Sequence, residues 1–239
     1  MQTTVDTLNE RFLETSAQNV LKWAVTEYGD KLLLASSFGA EDVVLIEMLR
    51  GITESPRVFF LDTGRLHQET YDVVDRVRNS YGIEIEVYFP KTGALETMLR
   101  SNGANSFYES VEKRKECCRI RKVESLARAL SDADAWITGL RRTQSVTRND
   151  LPVVEVDEAH GGILKINPLA LWTEQQVWDY IRANDVPYNS LHSIGYPSIG
   201  CAPCTRAIKP GEDTRSGRWW WESPEHKECG LHKKDQEVK

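Results

Sequence analysis

The chain has 239 residues and a formal net charge of −6, with 40% hydrophobic and 28% charged residues. This length suits one α/β domain with a tail, and the composition is that of an ordinary globular protein. The acidic balance argues against a general nucleic-acid-binding surface. Residues 1–12 lack the apolar run of a signal peptide, and residues 31–35, one of the longest apolar stretches, are far too few to cross a bilayer. We therefore expect a cytoplasmic protein.

Helices and strands are predicted to alternate along most of the chain, after an amphipathic helix over residues 6–28. The predicted strands are Lys31–Ala35, Arg57–Leu61, Ile83–Phe89 and Ala135–Thr138, and the later helices are Val43–Leu49, Glu69–Asn79, Val123–Leu130 and Glu174–Ala183. This order predicts a three-layer α/β/α fold with a mainly parallel sheet. Residues 186–239 are rich in Gly, Pro and Trp and are expected to be an ordered loop segment that ends in a mobile tail. We expect one domain over residues 1–239, with residues 205–239 as its C-terminal segment.

Polar loops follow the first two predicted strands, at the sheet edge where ligands of parallel sheets bind. The first, residues 36–42, has small residues that let backbone amides approach an anion, although a plain turn capped by Glu41 and Asp42 explains it equally well. It lacks the pattern of an ordinary P-loop. The second offers a carboxylate for ribose or adenine, with a surface turn as the alternative. The candidate residues are Ser36, Ser37, Phe38, Gly39, Glu41 and Asp42 in the first loop, and Asp62, Thr63, Gly64 and Arg65 in the second.

Five cysteines form an adjacent pair, Cys117 and Cys118, a C-x-x-C pair, Cys201 and Cys204, and a single residue, Cys229. In a reducing compartment this grouping predicts a metal site and a reactive thiol, with five inert buried thiols as the alternative. Four thiolates suit structural zinc or a [4Fe–4S] cluster, although adjacent cysteines are unusual for zinc. Nearby cations would stabilise an anionic cluster or neutralise a sulfate or phosphate, unless they form a solvated helix face. These cations are Lys113, Arg114, Lys115, Arg119, Arg121 and Lys122.

Cys229 lies ten residues from the end of the chain, between Lys227 and His232. A neighbouring cation would lower the pKa of its thiol and make it reactive, whereas an inert exposed thiol is the alternative. The preceding segment, Arg215–Glu222, has two arginines and three tryptophans. Such residues are costly to leave in water, so we interpret the segment as an anchor and an anion clamp.

The ordered set of motifs resembles the sulfonucleotide reductase family, specifically its cluster-containing adenylyl-sulfate (APS) reductases. The matching segments span nearly the whole chain, without a departure at a functional position. They are Ser37–Asp42, Leu61–Arg65, Glu116–Lys122, Gly139–Ser145, Gly200–Cys204, Gly211–Glu222 and Glu228–His232.

The resemblance implies an adenine nucleotide α-hydrolase-like fold in which residues 36–42 are a modified pyrophosphatase (PP) loop. It also implies a [4Fe–4S] cluster and a nucleophilic Cys229. The implied cluster ligands are Cys117, Cys118, Cys201 and Cys204. Relatives specific for the 3′-phosphorylated nucleotide (PAPS) generally lack these four cysteines, so APS is the expected substrate, with PAPS or both nucleotides as the alternative.

The expected reaction is attack of the Cys229 thiolate on the sulfur of APS, which yields AMP and an S-sulfonate. Fixed cations would offset the repulsion between the two anions. These cations are Lys122, Arg141, Arg142, Arg215 and Arg218, while His232 joins the catalytic set and Gln144 the substrate contacts. No other cysteine is left, so an external dithiol, thioredoxin or glutaredoxin, must release sulfite. The activity would serve sulfate assimilation and cysteine biosynthesis, without nucleic acid or membrane partners, and a homo-oligomer is compatible with the sequence.

Two other classes of protein are weighed against this interpretation. A tRNA-thiolating or ATP-pyrophosphatase-type enzyme uses a Ser-Gly-Gly-x-Asp-[Ser/Thr] loop, which Phe38, Glu41 and Asp42 do not match. A non-enzymatic iron–sulfur sensor would leave the tryptophan segment and the loop over residues 36–42 unexplained.

Overall fold

The computed structural model describes residues 2–145, 148–223 and 231. Its strands are β1 (Leu32–Ser36), β2 (Val58–Leu61), β3 (Ile85–Tyr88), β4 (Ala135–Ile137), β5 (Val154–Asp157) and β6 (Ile163–Ile166). Its α-helices are α1 (Gln2–Phe12), α2 (Ala17–Tyr28), α3 (Ala40–Arg50), α4 (Gln68–Tyr81), α5 (Thr92–Asn102), α6 (Val111–Cys118), α7 (Glu124–Ala129) and α8 (Glu174–Ala183).

The strands form one sheet in the order β3-β2-β1-β4-β6-β5. The pairs of β1 with β2, of β1 with β4 and of β4 with β6 are parallel, whereas β5 runs antiparallel to β6. The central strands read as continuous apolar runs because parallel strands are covered on both faces; Leu33, Val58 and Ile137 are fully buried. The prediction of an α/β fold with a mainly parallel sheet is confirmed.

Helix α3 follows β1 directly and is apolar on most of its circumference. Val43, Val44, Leu45 and Ile46 are consecutive and fully buried, which is the pattern of a helix surrounded by protein. This burial fixes the start of α3, and therefore the loop over residues 36–39 that enters it.

The predicted helix over residues 6–28 is two helices in the structure. Helix α1 ends at Phe12, and α2 starts at Ala17 after Ser16, whose side chain accepts a hydrogen bond from the backbone N–H of Asn19 (3.3 Å). A serine at this position satisfies a free N–H of a new helix and so favours a break. The other predicted strands and helices occur within a few residues of their expected bounds, except that α6 and a π-helical turn precede α7, and that α5, β5 and β6 were not predicted.

The chain forms two compact units. The first contains Met1–Phe60, Glu69–Glu86 and Asp132–Ser190, and the second contains Leu61–Gln68, Val87–Ser131 and Leu191–Lys239. The single domain expected over residues 1–239 stays a prediction. Among the described helices, none combines the length and the apolar character needed to span a membrane.

Candidate active site

Four cysteines of the second unit line one cavity. Cys117 and Cys118 end α6, while Cys201 precedes and Cys204 ends a short 3₁₀ turn. None of the four is in a disulfide, and the cavity that they line is open, with about 320 Å³ of empty space when the adjoining solvent is included. Its other lining residues are Arg65, Phe107, Arg114, Arg121, Lys122 and Pro203. The structure therefore brings together the two cysteine pairs and several of the predicted cations.

Local sequence explains how α6 delivers its two cysteines. Ser110 caps the helix by accepting a hydrogen bond from the backbone N–H of Lys113 (3.2 Å). The helix then widens into a π-helical turn over Arg119–Val123, a rare feature that is frequent at functional sites. Arg121 and Lys122 lie in this turn and line the same cavity as the cysteines.

Hydrogen bonds also hold the second cysteine pair. The backbone N–H of Cys204 donates to the carbonyl of Cys201 (2.9 Å), and the hydroxyl of Thr205 donates to that carbonyl as well (3.0 Å). The backbone N–H of Ala202 donates to the carbonyl of Arg65 (2.8 Å). The turn is thereby fixed against the loop that follows β2.

Burial makes two of the thiols, those of Cys117 and Cys204, hard to ionise without a positive partner. It raises the pKa of Cys117, although the guanidinium of Arg121 acts in the opposite direction. Burial and the neighbouring Cys201 raise the pKa of Cys204 to about 12, against Lys122 and Arg218. A coordinated metal deprotonates a thiol outright. Among the described residues, no three His, Cys, Asp or Glu side chains form a group that could hold a metal ion.

The loop after β2 contacts the cysteine cavity. The hydroxyl of Thr63 lies 3.3 Å from the sulfur of Cys201, and the carbonyl of Thr63 accepts a hydrogen bond from Arg121 (2.5 Å). Asp62 accepts a hydrogen bond from the backbone N–H of Gly64 (2.7 Å), which closes the turn. Arg65 donates to the carbonyl of Ala104 (2.6 Å) and to Asn105 (3.0 Å). A role of Asp62–Arg65 in binding a nucleotide stays a prediction.

Arg218 lies near Cys204, whose thiolate its charge favours. Its guanidinium is buried, stacks on Trp219 with 4.8 Å between the guanidinium carbon and the ring centroid, and donates to the carbonyl of Ile199 (3.2 Å). A Cβ at Gly200 would overlap this guanidinium, so the glycine before Cys201 allows the arginine to approach. The backbone N–H of Arg215 donates to Asp213 (2.8 Å).

In the first unit, the loop between β1 and α3 is held by its own side chains. The carboxylate of Asp42 accepts hydrogen bonds from the backbone N–H (2.6 Å) and the hydroxyl (2.8 Å) of Ser37. The hydroxyl of Ser36 accepts from the backbone N–H of Phe38 (3.1 Å), whose φ of 58° is unusual for a residue with a side chain. Gly39 precedes the helix without a side-chain cap. Burial raises the pKa of Asp42 to about 6.

The segment after β4 contacts the start of α3. Arg141 is buried and pairs with Glu41, with 2.7 Å and 2.8 Å between its nitrogens and the Oε1 of Glu41. Arg142 donates to the carbonyl of Leu151 (2.8 Å), and Gln144 accepts from the backbone N–H of Arg141 (3.1 Å). Arg141 therefore has its counter-ion, Glu41, within the protein. The sequence did not indicate this pairing.

The amino-acid sequence of the chain is similar to those of known proteins. A model of the phosphoadenosine phosphosulfate reductase domain matches residues 31–207. The chain belongs to this family of sulfonucleotide reductases. A relative from Burkholderia cepacia named adenosine 5′-phosphosulfate reductase is 57% identical over 87% of this chain and 83% of its own length. Another of that name from Allochromatium vinosum is 52% identical over 96% of this chain and 88% of its own length.

Solved structures support the same family and fold. A crystal structure of phosphoadenylyl-sulfate reductase from Candida auris is 34% identical, with a TM-score of 0.74 over 87% of this chain and 98% of its own. An FMN adenylyltransferase of Candida glabrata is 13% identical, with a TM-score of 0.57 over 86% of this chain and 74% of its own; this likeness concerns the fold alone. The resemblance to the sulfonucleotide reductases is therefore confirmed.

Two predicted catalytic residues, Cys229 and His232, lie outside the described residues. The structure also reveals a contact that the sequence did not indicate: Arg114 forms a buried ion pair with Glu222 (2.6 Å) in this sulfonucleotide reductase. Arg114 is one of the cations near the first cysteine pair and Glu222 ends the segment with three tryptophans, but nothing in their spacing of more than a hundred positions pairs them. A carboxylate directly after three tryptophans was the one available signal that a buried cation lay opposite.

Proposed function

We propose that the protein reduces APS to sulfite and AMP, with Cys229 as the nucleophile and an external dithiol as the reductant. The observation that carries this proposal is the division of the five cysteines. Four line one cavity, which leaves Cys229 as the remaining thiol in the sequence. The names of the relatives from Burkholderia cepacia and Allochromatium vinosum support APS as the substrate.

We propose that the cysteine cavity holds a [4Fe–4S] cluster, with Cys117, Cys118, Cys201 and Cys204 as its ligands. A cluster of this kind would be held by four cysteine thiolates, and these four cysteines line one cavity. Arginines and a lysine line that space and balance the negative charge of four thiolates. When bound, the cluster would hold α6 and the turn Ala202–Cys204 together and add a fixed local charge. No electron from it is needed, because the dithiol supplies both.

The first reaction step joins Cys229 to the sulfo group. The thiolate sulfur forms a bond to the sulfur of APS, the bond from that sulfur to the bridging phosphate oxygen breaks, and AMP leaves. Lys122 and Arg218 are proposed to offset the repulsion between thiolate and sulfate, because cations in a water-poor site act strongly on developing charge. Their proximity to Cys204 supports this assignment. Roles for Arg141, Arg142, Arg215 and His232 remain predictions.

The second step reduces the S-sulfonate. A thiolate of thioredoxin or glutaredoxin attacks the sulfur of Cys229, sulfite leaves, and the second thiol of the donor resolves the mixed disulfide. The donor is oxidised to a disulfide, and the two electrons take the sulfur from the oxidation state of sulfate to that of sulfite. The proposed chemistry needs a reduced thiol at Cys229 and a reduced donor, which favours a reducing compartment such as the cytoplasm.

The loop over residues 36–42 is the proposed contact for the nucleotide phosphate. It combines small residues with the first turn of α3, where backbone N–H groups and the helix dipole favour an anion. Asp42 orders the loop through Ser37 and so presets its shape before the anion binds.

Sulfite release tests the proposal. Anaerobically purified protein is given APS or PAPS with thioredoxin, and Cys229→Ser is the matched variant. We expect sulfite from APS in preference to PAPS with the natural protein, and none from Cys229→Ser although that variant still binds the nucleotide. Sulfite production by Cys229→Ser at the natural rate would refute the role of Cys229.

A further inference from the structure

Three aromatic side chains of the second unit form a surface next to the cysteine turn. Tyr108 and Trp220 are 43% and 40% exposed, and their ring centroids lie 6.3 Å apart. Trp221 contacts both, at 4.5 Å from Tyr108 and 4.8 Å from Trp220. We call Tyr108, Trp220 and Trp221 the aromatic surface. Large aromatic rings left in water are costly, and Tyr and Trp are enriched where proteins bind one another.

The aromatic surface is held in place from below. The hydroxyl of Tyr108 donates to the carbonyl of Pro203 (2.6 Å), which lies between Cys201 and Cys204. Tyr108 also contacts the buried ring of Phe107, with 4.4 Å between centroids. A surface that is already ordered loses little conformational entropy when a partner binds to it.

The position of this surface relative to Cys229 follows from the covalent chain. Glu222 directly follows Trp221 and is buried by two hydrogen bonds from Arg114, of 2.9 Å and 2.6 Å. Cys229 is seven residues further on, so its Cα lies at most about 25 Å from that of Glu222. Any protein that attacks the sulfur of Cys229 must therefore reach a residue whose Cα lies within about 25 Å of that of Glu222, the neighbour of Trp221.

We infer that the aromatic surface is the docking site of the protein dithiol that reduces Cys229. This inference rests on the proposed attack on Cys229. The occupant is identified by the chemistry: the sequence holds five cysteines, four of which face one cavity, so the second thiol comes from another molecule. A protein donor gains specificity from exposed Trp and Tyr, which are the side chains that most often carry binding energy at interfaces.

The test separates a protein donor from a small one. Sulfite release by the full-length protein at saturating APS is measured against the concentration of thioredoxin, and separately against that of dithiothreitol. For Trp220→Ala we expect the KM for thioredoxin to rise about tenfold or more, with dithiothreitol-driven turnover within twofold of the natural protein. Phe89→Ala is the matched control, because Phe89 is an exposed aromatic residue of the same unit (54%, against 40% for Trp220). It should change neither the KM for thioredoxin nor the turnover with dithiothreitol.

Several results would overturn the inference. An unchanged KM for thioredoxin in Trp220→Ala would show that the donor does not bind the aromatic surface. Equally slower turnover with thioredoxin and with dithiothreitol would show that Trp220 contributes to folding or to the nucleotide site instead. If Trp220→Ala formed the S-sulfonate from APS more slowly without any donor, the aromatic surface would instead bind the chain's own C-terminal residues. If Trp220→Ala had a lower mass than the natural protein in light scattering, the surface would instead bind a second copy of the chain. Failure of the proposed function can be distinguished from failure of this inference, because the natural protein would then form no S-sulfonate before any dithiol is added.

Discussion

Arg114 and Glu222 form a buried ion pair with two hydrogen bonds, Nε to Oε1 (2.9 Å) and Nη2 to Oε2 (2.6 Å), and their side chains are 1% and 3% exposed. Arg114 also stacks on Trp219, with 4.8 Å from the guanidinium carbon to the ring centroid, and interacts with the thiol of Cys118. One guanidinium thus links the cysteine-bearing helix α6 to the residue from which the chain continues to Cys229.

Glu222→Gln should destabilise the protein, because it leaves the charge of Arg114 buried without its counter-ion. Loss of one partner of a buried pair costs about 3–5 kcal/mol, which corresponds to a fall of about 10 °C in melting temperature for a chain of this size. Circular dichroism melting measures the change.

Glu212→Gln is the control for that substitution. Glu212 pairs with Arg206 at 2.8 Å in the same unit, but both side chains are about one third exposed, and such pairs contribute little. Equal melting temperatures for Glu222→Gln and the natural protein would contradict the structural importance of the buried pair.

Gly200→Ala should displace Arg218 and lower turnover. The new methyl group would occupy the space of the Arg218 guanidinium, so that cation would move away from the cysteine turn. We expect a fall in kcat for sulfite release of about tenfold or more, because removing one electrostatic contact to a reacting group costs about 10²–10³ in rate and the substitution displaces Arg218 without removing it.

Gly93→Ala is the matched control for the glycine prediction. A Cβ at Gly93 meets no atom within 4 Å, and Gly93 lies in α5, where alanine is the better helix former. Its turnover should equal that of the natural protein. A similar turnover for Gly200→Ala would show that Arg218 tolerates the added methyl group or does not assist the reaction.

The raised pKa of Asp42 should make the stability of the protein fall as the pH rises. Burial raises its pKa from 3.8 to about 6, so the folded protein binds a proton that the unfolded chain has released. Its contribution to stability is present below pH 4 and is lost as the pH rises through 6, by at most about 3 kcal/mol. The free energy of unfolding of Asp42→Asn, relative to the natural protein, should therefore increase between pH 4 and pH 7. A difference that stays constant over this range in urea unfolding would contradict the buried, protonated Asp42.

Measuring iron content distinguishes the proposed role of the four cavity cysteines from that of Cys229. Cys204→Ser removes one proposed cluster ligand and should lower both the iron bound per chain and the broad visible absorbance of anaerobically purified protein. Cys229→Ser keeps all four ligands and should match the natural protein in both. Full iron content in Cys204→Ser, or zinc in place of iron in the natural protein, would speak against the cluster.

The sequence predicted which functional residues lie together better than it predicted which residues form ion pairs with them. Adjacent and C-x-x-C cysteines indicated one site because thiols in such spacings converge, and the structure places all four around one cavity. The pairing of Arg114 with Glu222, and of Arg141 with Glu41, depends on how distant segments pack, which no local pattern encodes.

Short elements were missed for a related reason. Val154–Asp157 alternates apolar and acidic residues, as a half-buried strand does, but four residues are too few to distinguish a strand from a loop. Strand β6 carries Lys165, which is buried and forms an ion pair with Glu155 on β5 (2.9 Å). A lysine at a core position argues against a strand until that partner is known.

The most direct test of the central claim is mass spectrometry of the natural protein mixed with APS and no reductant. We expect one added sulfo group, located on the peptide that contains Cys229, together with one AMP released per chain. An adduct on any of the four cavity cysteines, or AMP release without an adduct on Cys229, would contradict it.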